Sequence, residues 1–313
     1  MTLTQLEYVI AVNQYRHFKK AATACHVTQP TLSMQLSKLE DELGVVLFDR
    51  SKSPIIPTRE GLKVIEQAQV VLKEFKRIYS IIDESSEDLK GELRLGVIPT
   101  LSPYLVPLFA KDFAKHYPRV TLKIEEYKTE DIIKRLGNDE IDCGLLVTPL
   151  YDDSIIERSL FFESFHIFAS KDHPYLKKQK INESELNYDD LWLLNEGHCF
   201  RDQVMRVCKV KHVRNDRHLQ FESGNLETLK AMVVNNGGYT FLPELALNGL
   251  SASQKKLVRP FRTPIPTREV SLVHSRVFLK EKIIDAIEES ILSCIPKEVK
   301  SLKRERVERI DFL

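Results

Sequence analysis

The first 60 residues place hydrophobic positions at helical spacing, interrupted by short polar turns. Apolar residues between Leu3 and Val12 recur every three or four positions and predict a first helix at about 4–14. A second predicted helix begins near Phe18. A third runs from about residue 29 to 44, because Pro30 suits a first helical turn and Gly44 suits the end of a helix. Residues 45–58 then show the apolar runs and turn residues of a β wing.

Polar side chains occupy the outer face of the third predicted helix. Two helices, a short turn and a third helix with a polar face are the layout of a helix-turn-helix, whose polar side chains contact bases and phosphates. A generic three-helix packing unit is the alternative, and the attached wing argues against it. The predicted DNA contacts, in a winged helix-turn-helix domain at 1–58, are Thr28, Gln29, Pro30, Thr31, Ser33, Gln35 and Lys38 of the helix and Arg50 and Lys52 of the wing.

A long helix follows the wing, in a predicted linker, dimerisation helix and hinge at 59–90. Its apolar residues alternate three and four positions apart, which is the spacing of a coiled-coil seam. A single helix of this length is unstable alone, so the seam needs a partner helix or the globular domain of its own chain. We expect the partner to be a second copy of the protein, contacted by Ile65, Ala68, Leu72, Phe75, Tyr79 and Ile82.

From residue 91 onwards, apolar strand patterns alternate with helical patterns. This βαβ alternation predicts a parallel sheet covered on both faces. The pattern indicates a regulatory domain at 91–296, with a first lobe at about 91–163 plus 269–296 and a second lobe at about 164–268. Strands are also expected at 191–195 and 218–222. The tail at 297–313 mixes charges and predicts a solvated helix, with a contact to DNA or within a tetramer as the alternative.

Composition narrows the class of protein. The net charge of the 313 residues is only +1, so any nucleic-acid contact must come from local placement of basic residues. No apolar run reaches the length of a membrane span, and the N-terminus lacks the pattern of a signal peptide. Five scattered cysteines do not form a secreted disulfide framework, and no histidine has metal-ligand spacing. We therefore expect a cytoplasmic protein with reduced thiols, no metal, no cofactor and no membrane partner.

Two of the cysteines stand out. Cys199 lies between His198 and Arg201, just ahead of a predicted helix over 201–208 that ends at Cys208. A nearby cation or a helix N-terminus favours the reactive thiolate. The helix would hold the two Cα atoms about 10–13 Å apart, whereas a disulfide needs roughly 4.4–6.8 Å. Two ordinary half-buried cysteines are the alternative.

Two threonines follow the first strands of the regulatory domain. Thr100 and Thr129 each stand just ahead of a predicted helix, at the carboxyl end of a strand, where small ligands bind in such sheets. Each could equally be a simple N-cap.

The predicted DNA-binding domain at 1–58, called the head from here on, and the regulatory domain both resemble the LysR-type transcriptional regulators. The runs that carry this resemblance are Phe18-x-x-Ala21-Ala22, Thr28-Gln29-Pro30-Thr31-Leu32-Ser33-x-Gln35, Leu39-Glu40-x-Glu42-Leu43-Gly44-x-x-Leu47-Phe48-x-Arg50, and Ser223-x-Asn225-Leu226-Glu227-x-Leu229. The resemblance implies an α/β protein with an N-terminal winged helix-turn-helix, a long linker helix and a two-lobed, periplasmic-binding-protein-like regulatory domain. It also implies a regulator, not an enzyme, that binds double-stranded promoter DNA as a dimer of dimers and works with RNA polymerase. His17 departs from the pattern, since many members have there a Ser that caps the second helix.

Two further runs are similar to the hydrogen-peroxide-sensing members of that family: Gly96-Val97-Ile98-Pro99-Thr100-x-x-Pro103 and Gly197-His198-Cys199-x-Arg201-Asp202-Gln203-x-Met205-x-x-Cys208. This similarity implies an activator of oxidative-stress genes, switched by a Cys199–Cys208 disulfide and reset by a thiol reductant such as glutaredoxin or thioredoxin. It implies that Cys199 is the peroxidatic thiol and Cys208 the resolving one, and that peroxide binds at Thr100, Thr129, His198, Cys199 and Arg268. A LysR-type regulator answering a small organic effector is the alternative. A thiol peroxidase fits less well, because it gives no reason for the helix-turn-helix.

Overall fold

The structure, a computed structural model, describes residues 1–52, 54–83, 89–208, 223–275, 281–300 and 307–310. The chain divides into two compact units, Met1–Glu87 and Asp88–Leu313. Within the described ranges, no helix has the length and apolar character needed to cross a membrane.

The first unit is a winged helix-turn-helix, as predicted. Its elements are α1 (Leu3–Tyr15), α2 (Phe18–Ala24), α3 (Gln29–Leu43), β1 (Phe48–Asp49), β2 (Ile56–Pro57) and α4 (Arg59–Asp83). The Thr28 hydroxyl accepts a hydrogen bond from the Thr31 amide at the start of α3, and Gly44 ends α3 in the left-handed region at φ 67°. His17, which departs from the family pattern, still caps α2, because its Nδ1 accepts a hydrogen bond from the Lys19 amide at 3.1 Å.

The apolar stripe on α4 packs mainly within its own chain. Ile65, Ala68 and Leu72 are at most 8% exposed, and the last two pack on Leu6 of α1. These three residues attach α4 to the rest of its own unit, and their part in a dimer seam stays a prediction. Four apolar side chains of α4 remain exposed, namely Leu62, Val70, Val71 and Ile78, and Phe75 is half-buried. The predicted seam residues Tyr79 and Ile82 have side chains outside the described set.

The second unit is built on one eight-stranded sheet with the order β4-β3-β5-β9-β6-β7, to which β8 and β10 pair at the sides. β3 pairs in parallel with β4 and β5, whereas β9 pairs antiparallel with β5 and β6. The prediction of a parallel sheet is thus confirmed for β3, β4 and β5 and wrong for β9, which returns to the first lobe from the second and enters in the opposite direction. The strands are β3 (Gly91–Val97), β4 (Val120–Glu126), β5 (Cys143–Thr148), β6 (Ile155–Ala169), β7 (Tyr239–Pro243), β8 (Val258–Pro260), β9 (Ile265–Ser275) and β10 (Val307–Arg309).

Two hydrophobic cores lie along this sheet, and the long strands β6 and β9 join them. On β6, Phe161 belongs to the first core and Phe165 to the second. Of the expected strand at 191–195, only a single bridge from Leu191 to Tyr239 forms, and the expected strand at 218–222 lies outside the described residues. The helices are α5 (Ser102–His116), α6 (Thr129–Gly137), α7 (Cys199–Val207), α8 (Leu226–Asn236), α9 (Ala252–Lys255), α10 (Glu281–Cys294) and α11 (Lys297–Lys300).

The end of the chain corrects the prediction of a solvated helix at 297–313. After the short α11, residues 307–309 form β10, which pairs in parallel with residues 265–267 of β9. The next residue, Ile310, is 9% exposed and lies in the second core. Its amide donates to the Thr267 carbonyl at 2.8 Å, and Arg309 forms an ion pair with Glu269. Ile310, the apolar residue after β10, therefore packs in the second core although the neighbouring residues in the chain are charged.

Candidate functional site

The helix α7 carries both cysteines, one at each end. Cys199 is its first residue and Cys208 its C-cap, and both thiols are free. With the helix intact, nine steps of about 1.5 Å separate the two Cα atoms by roughly 13 Å, too far for a disulfide. Asp202 in the first turn and Arg206 in the last turn suit the helix dipole.

The two ends of α7 lie in different cores. Cys199 is 7% exposed and belongs to the core of the first lobe, although α7 otherwise packs in the second. Cys208 is 1% exposed and belongs to the core of the second lobe. α7 therefore bridges the lobes.

The buried guanidinium of Arg268 and the hydroxyl of Thr129 both act on the Cys199 thiol. Burial raises the pKa of the Cys199 thiol, while the charge of Arg268 and then a hydrogen-bonding interaction with Thr129 act to lower it. The overall direction is upward, so Cys199 is a thiol at rest whose ionisation is easier than burial alone would allow. The guanidinium also lies over the ring of Phe200, 5.4 Å from its centre.

Arg268 is fully buried, and each of its three guanidinium nitrogens donates a hydrogen bond. It donates to the Glu163 carboxylate at 2.8 Å, to the Thr100 hydroxyl at 3.0 Å and to the Thr100 carbonyl at 3.2 Å. Glu163 is itself 0% exposed, and its second oxygen accepts from the Leu245 amide at 2.8 Å. The sequence analysis missed Glu163. The available signal was an acidic residue inside the apolar run Phe161–Phe165, since a carboxylate there requires a buried cation.

Neither of the two threonines serves as a helix cap. The N-caps of α5 and α6 are Leu101 and Lys128, and neither makes a side-chain cap bond. The Thr100 hydroxyl accepts from Arg268, so its own proton is available to donate. Thr129 is buried, and among the described residues its Oγ1 has no nitrogen or oxygen partner at hydrogen-bond geometry. The N-cap alternative is therefore wrong for both, and both hydroxyls can serve a small polar molecule beside Cys199.

His198 is buried at the N-terminus of α7. Burial, and then the charge of Lys128, lower the pKa of His198, so the imidazole is neutral at neutral pH. Its Nε2 lies 3.1 Å from the position that a Cβ atom would occupy at Gly224, so a larger residue there would require the ring to shift by a few tenths of an ångström. No contact described for the ring joins it to the Cys199 sulfur; chain continuity alone places it next to the thiol.

The environment of Cys208 is aromatic rather than cationic. Burial, with a smaller contribution from Glu183, raises the pKa of Cys208 to about 12. Tyr175 and Tyr239 lie nearby, since their own pKa values are raised in part by Cys208. The Tyr188 hydroxyl donates to the Cys208 carbonyl oxygen. Cys208 is therefore a protonated core residue while α7 is intact.

The predicted DNA contacts divide into free and engaged side chains. Arg50 is not simply available for phosphate, because it donates to Glu40 at 2.6 Å and to Ser37 at 3.2 Å. Gln35 Oε1 accepts from Gln5 at 3.2 Å. Thr28, Gln29, Pro30, Lys38, Arg50 and Lys52 are exposed, and Thr31, Ser33 and Gln35 are half-buried. Across the described residues, no cluster of three or more histidine, cysteine or carboxylate side chains could hold a metal ion.

Comparison with known proteins places both units in one family. The family model of bacterial regulatory helix-turn-helix proteins of the lysR family matches residues 3–62, and the LysR substrate binding domain matches 86–286. The hydrogen peroxide-inducible genes activator of Haemophilus influenzae is 34% identical over 276 residues, covering 88% of this chain and 90% of that protein. The DNA-binding transcriptional dual regulator OxyR of Escherichia coli is 35% identical over 274 residues, covering 88% and 89%.

A solved structure extends the likeness to the fold. A full-length OxyR variant from Pseudomonas aeruginosa superimposes with a TM-score of 0.78 at 36% identity, covering 94% of this chain and 99% of that one. Both family models and both relatives agree with the winged head and the two-lobed domain found here. The protein therefore belongs to the LysR family and is a DNA-binding transcriptional regulator, not an enzyme.

Proposed function

We propose that this regulator senses hydrogen peroxide and activates oxidative-stress genes through a reversible Cys199–Cys208 disulfide. The single observation that carries the proposal is the placement of Cys199 at the start of α7, beside buried Arg268 and the Thr129 hydroxyl. The second thiol, at the other end of the same helix, gives the oxidised sulfur a partner within the chain. The name of the H. influenzae relative, a hydrogen peroxide-inducible genes activator, supports the same signal and output.

The first chemical step is oxidation of Cys199. The thiol gives up its proton as peroxide enters, and the thiolate attacks one peroxide oxygen while the O–O bond breaks. The departing oxygen takes a proton and leaves as water, and the sulfur becomes a sulfenic acid. Thr100, Thr129 and His198 are the proposed hydrogen-bonding groups for peroxide, and Arg268 favours the thiolate. The hydroxyl of Thr129 supports this role because it is buried beside the sulfur without another partner.

The second step joins the two cysteines. The Cys208 sulfur attacks the Cys199 sulfenic acid, its proton and the hydroxyl leave as water, and the disulfide forms. Because the intact helix holds the Cα atoms roughly 13 Å apart, α7 must unwind for the bond to form. Refolding of this segment, which bridges the two lobes, is the proposed signal to the DNA-binding heads. A thiol reductant such as glutaredoxin or thioredoxin restores the reduced form.

The proposed output is promoter DNA binding as a dimer of dimers, with contact to RNA polymerase. The exposed polar residues at the start of α3 support base contacts, and Lys38 and Lys52 support phosphate contacts. Arg50 stabilises the wing through Glu40 in addition to any phosphate contact. Substituting Lys38 by Gln should weaken binding evenly across DNA sequences and reduce the salt slope by about one unit. An unchanged slope would remove Lys38 from the phosphate contacts.

The deciding experiment treats reduced protein, bound to its promoter, with one equivalent of peroxide. We expect loss of two free thiols, an intact mass lower by two hydrogens and an altered DNA footprint. Cys208→Ser should gain one oxygen and form no disulfide, and Cys199→Ser should not react. If both thiols persist and Cys199→Ser still responds to an organic inducer, the protein is an effector-binding regulator. Sustained peroxide turnover with a reductant, without a footprint change, would identify a thiol peroxidase.

A further inference from the structure

We infer that Tyr188 is a positioning residue that holds Cys208 in the second core and thereby sets the rate of disulfide formation. The inference rests on the proposed function and concerns only its second step. Its basis is one hydrogen bond: the Tyr188 hydroxyl donates to the carbonyl oxygen of Cys208, the residue that ends α7. The last carbonyls of a helix have no partner within the helix. Tyr188 therefore supplies the bond that the helix itself cannot.

The segment that carries Tyr188 is fastened to the sheet independently of α7. The Tyr188 carbonyl accepts from the Leu191 amide at 3.3 Å, and the Trp192 amide donates to the Tyr239 carbonyl of β7 at 2.8 Å. Just upstream, the Tyr175 hydroxyl donates to the Glu185 carbonyl at 3.0 Å and accepts from the Asn187 amide at 2.6 Å. The tyrosine is thus a tether from a fixed segment to the end of the helix that must move.

Release of Cys208 requires two described interactions to break. One is the helical bond from the Cys208 amide to the Val204 carbonyl at 2.9 Å, and the other is the Tyr188 tether. The thiol must also leave a core in which it is 1% exposed. The Cys199 environment, formed by Arg268 and Thr129, includes no contact described for Tyr188. The tether therefore acts on the second step and leaves the first untouched.

The balance of the second step shows what the tether controls. The Cys208 thiol loses its proton, its sulfur bonds to the sulfur of the Cys199 sulfenic acid, and the sulfenic hydroxyl leaves with that proton as water. None of this involves the Tyr188 hydroxyl, whose hydrogen bond among the described residues goes to the backbone at the end of the folded helix. Removing the hydroxyl destabilises the state in which α7 is intact and Cys208 is buried. Disulfide formation should therefore accelerate by about three- to tenfold, the effect of one ordinary hydrogen bond.

The test compares Tyr188→Phe with Tyr239→Phe in the full-length protein. Both variants lose one tyrosine hydroxyl close to Cys208, but no hydrogen bond described for the Tyr239 hydroxyl joins it to α7 or to the segment that carries Tyr188. Reduced protein is mixed with peroxide and quenched at intervals with an alkylating reagent. Mass spectrometry then gives separate rates for the sulfenic acid and the disulfide. We expect a faster second step only in Tyr188→Phe, with the first step unchanged in both variants.

A second measurement separates positioning from general loosening. At excess peroxide, a sulfenic acid that waits for its partner is oxidised further to sulfinic acid, so Tyr188→Phe should yield less sulfinic acid than wild type. Equal acceleration in both variants, acceleration of both steps, or no change in Tyr188→Phe would each overturn the role of Tyr188. If the wild-type protein forms a sulfenic acid but no disulfide, the proposed switch itself fails, and the inference fails with it.

Discussion

The two ends of α7 present the same functional group in opposite surroundings. Cys199 is buried beside a cation and a hydroxyl, and Cys208 is buried among tyrosines and aliphatic side chains. Burial raises the pKa of both thiols, but only at Cys199 do neighbouring groups oppose that rise. The comparison shows that burial does not decide which thiol reacts first; the compensating charge and hydrogen bond do.

The two ends also differ in what holds them. At the Cys199 end, Glu163 and Arg268 form an ion pair in which both side chains are 0% exposed. At the Cys208 end, the helix is held by single hydrogen bonds and by apolar packing. The Arg268 guanidinium lies over the ring of Phe200 in α7, so moving the Cys199 end would uncover a buried charge at a large free-energy cost, whereas hydrogen bonds exchange with water at a small one. We therefore expect the Cys208 end to move toward Cys199, and not the reverse.

Removal of Glu163 should have the largest effect on this comparison. Glu163→Gln leaves the Arg268 guanidinium buried without its carboxylate, which should lower the free energy of unfolding by about 3–5 kcal/mol. Urea unfolding measures the loss. The matched control is Glu92→Gln, which removes an exposed ion pair with Lys123 and should change stability by about 0–1 kcal/mol. Equal, small losses in the two variants would show that the Cys199 end is not fixed by buried charge.

Alkaline pH should lower the stability that burial of the Cys208 thiol contributes. The folded-state pKa of about 12 lies above the ordinary value of 9.0, so at intermediate pH the unfolded chain has lost a proton that the folded chain keeps. The stability contributed by the buried thiol is complete below pH 9 and falls by about 1.4 kcal/mol per pH unit as pH rises toward 12. Subtracting the unfolding free energies of Cys208→Ala isolates this slope. Parallel pH profiles for wild type and variant would contradict it.

A hydrogen bond between α7 and residue 310 should contribute less to the stability of the protein. The buried amide of Gln203, in the middle of α7, donates to the Ile310 carbonyl at 2.7 Å. Gln203→Met leaves that carbonyl without a donor, which should lower stability by about 1–2 kcal/mol and speed hydrogen exchange of the Ile310 amide. Arg309→Met, which removes a half-exposed ion pair in the same strand, is the control and should change stability by less than about 1 kcal/mol. Unchanged exchange in Gln203→Met would show that α7 does not hold the C-terminal strand.

The helix α7 and the helices of the head were predictable because the sequence patterns that specify them are local. The spacing from Arg201 to Cys208 gave the helix, and Thr28, Pro30 and Gly44 gave the bounds of α3. The packing of Ala68 and Leu72 on α1 was not predicted, because no pattern within α4 encodes how α1 docks. β10 was missed for a similar reason: three residues in a charged tail form a strand only because β9, some 40 positions upstream, offers its edge.

The chemistry of the site was partly predictable. The residues Thr100, Thr129, His198 and Arg268 came from resemblance, and the structure gives four of the five site positions a physical connection: Arg268 bonds Thr100 and acts with Thr129 on Cys199. The role of Glu163 could be identified only from the fold, since it lies 105 positions from Arg268 in the chain. The role of Tyr188 also became visible only in the fold, because no sequence pattern indicates a hydroxyl that donates to the carbonyl at the end of a helix.

The smallest expected effect concerns His198, the neighbour of Cys199 that is neutral. Burial and then Lys128 lower its pKa below 6.5, so between the two values the unfolded chain binds a proton that the folded chain does not, and stability falls as pH decreases through that window. Lys128→Gln removes the smaller of the two causes and should raise the pKa of His198 slightly, by less at high salt. The imidazole proton signals in an NMR titration measure this shift, and the pH dependence of Cys199 alkylation should not change. If alkylation follows His198 instead, the cation that governs Cys199 is the imidazolium rather than Arg268, and the contrast between the two ends of α7 would rest on a different residue.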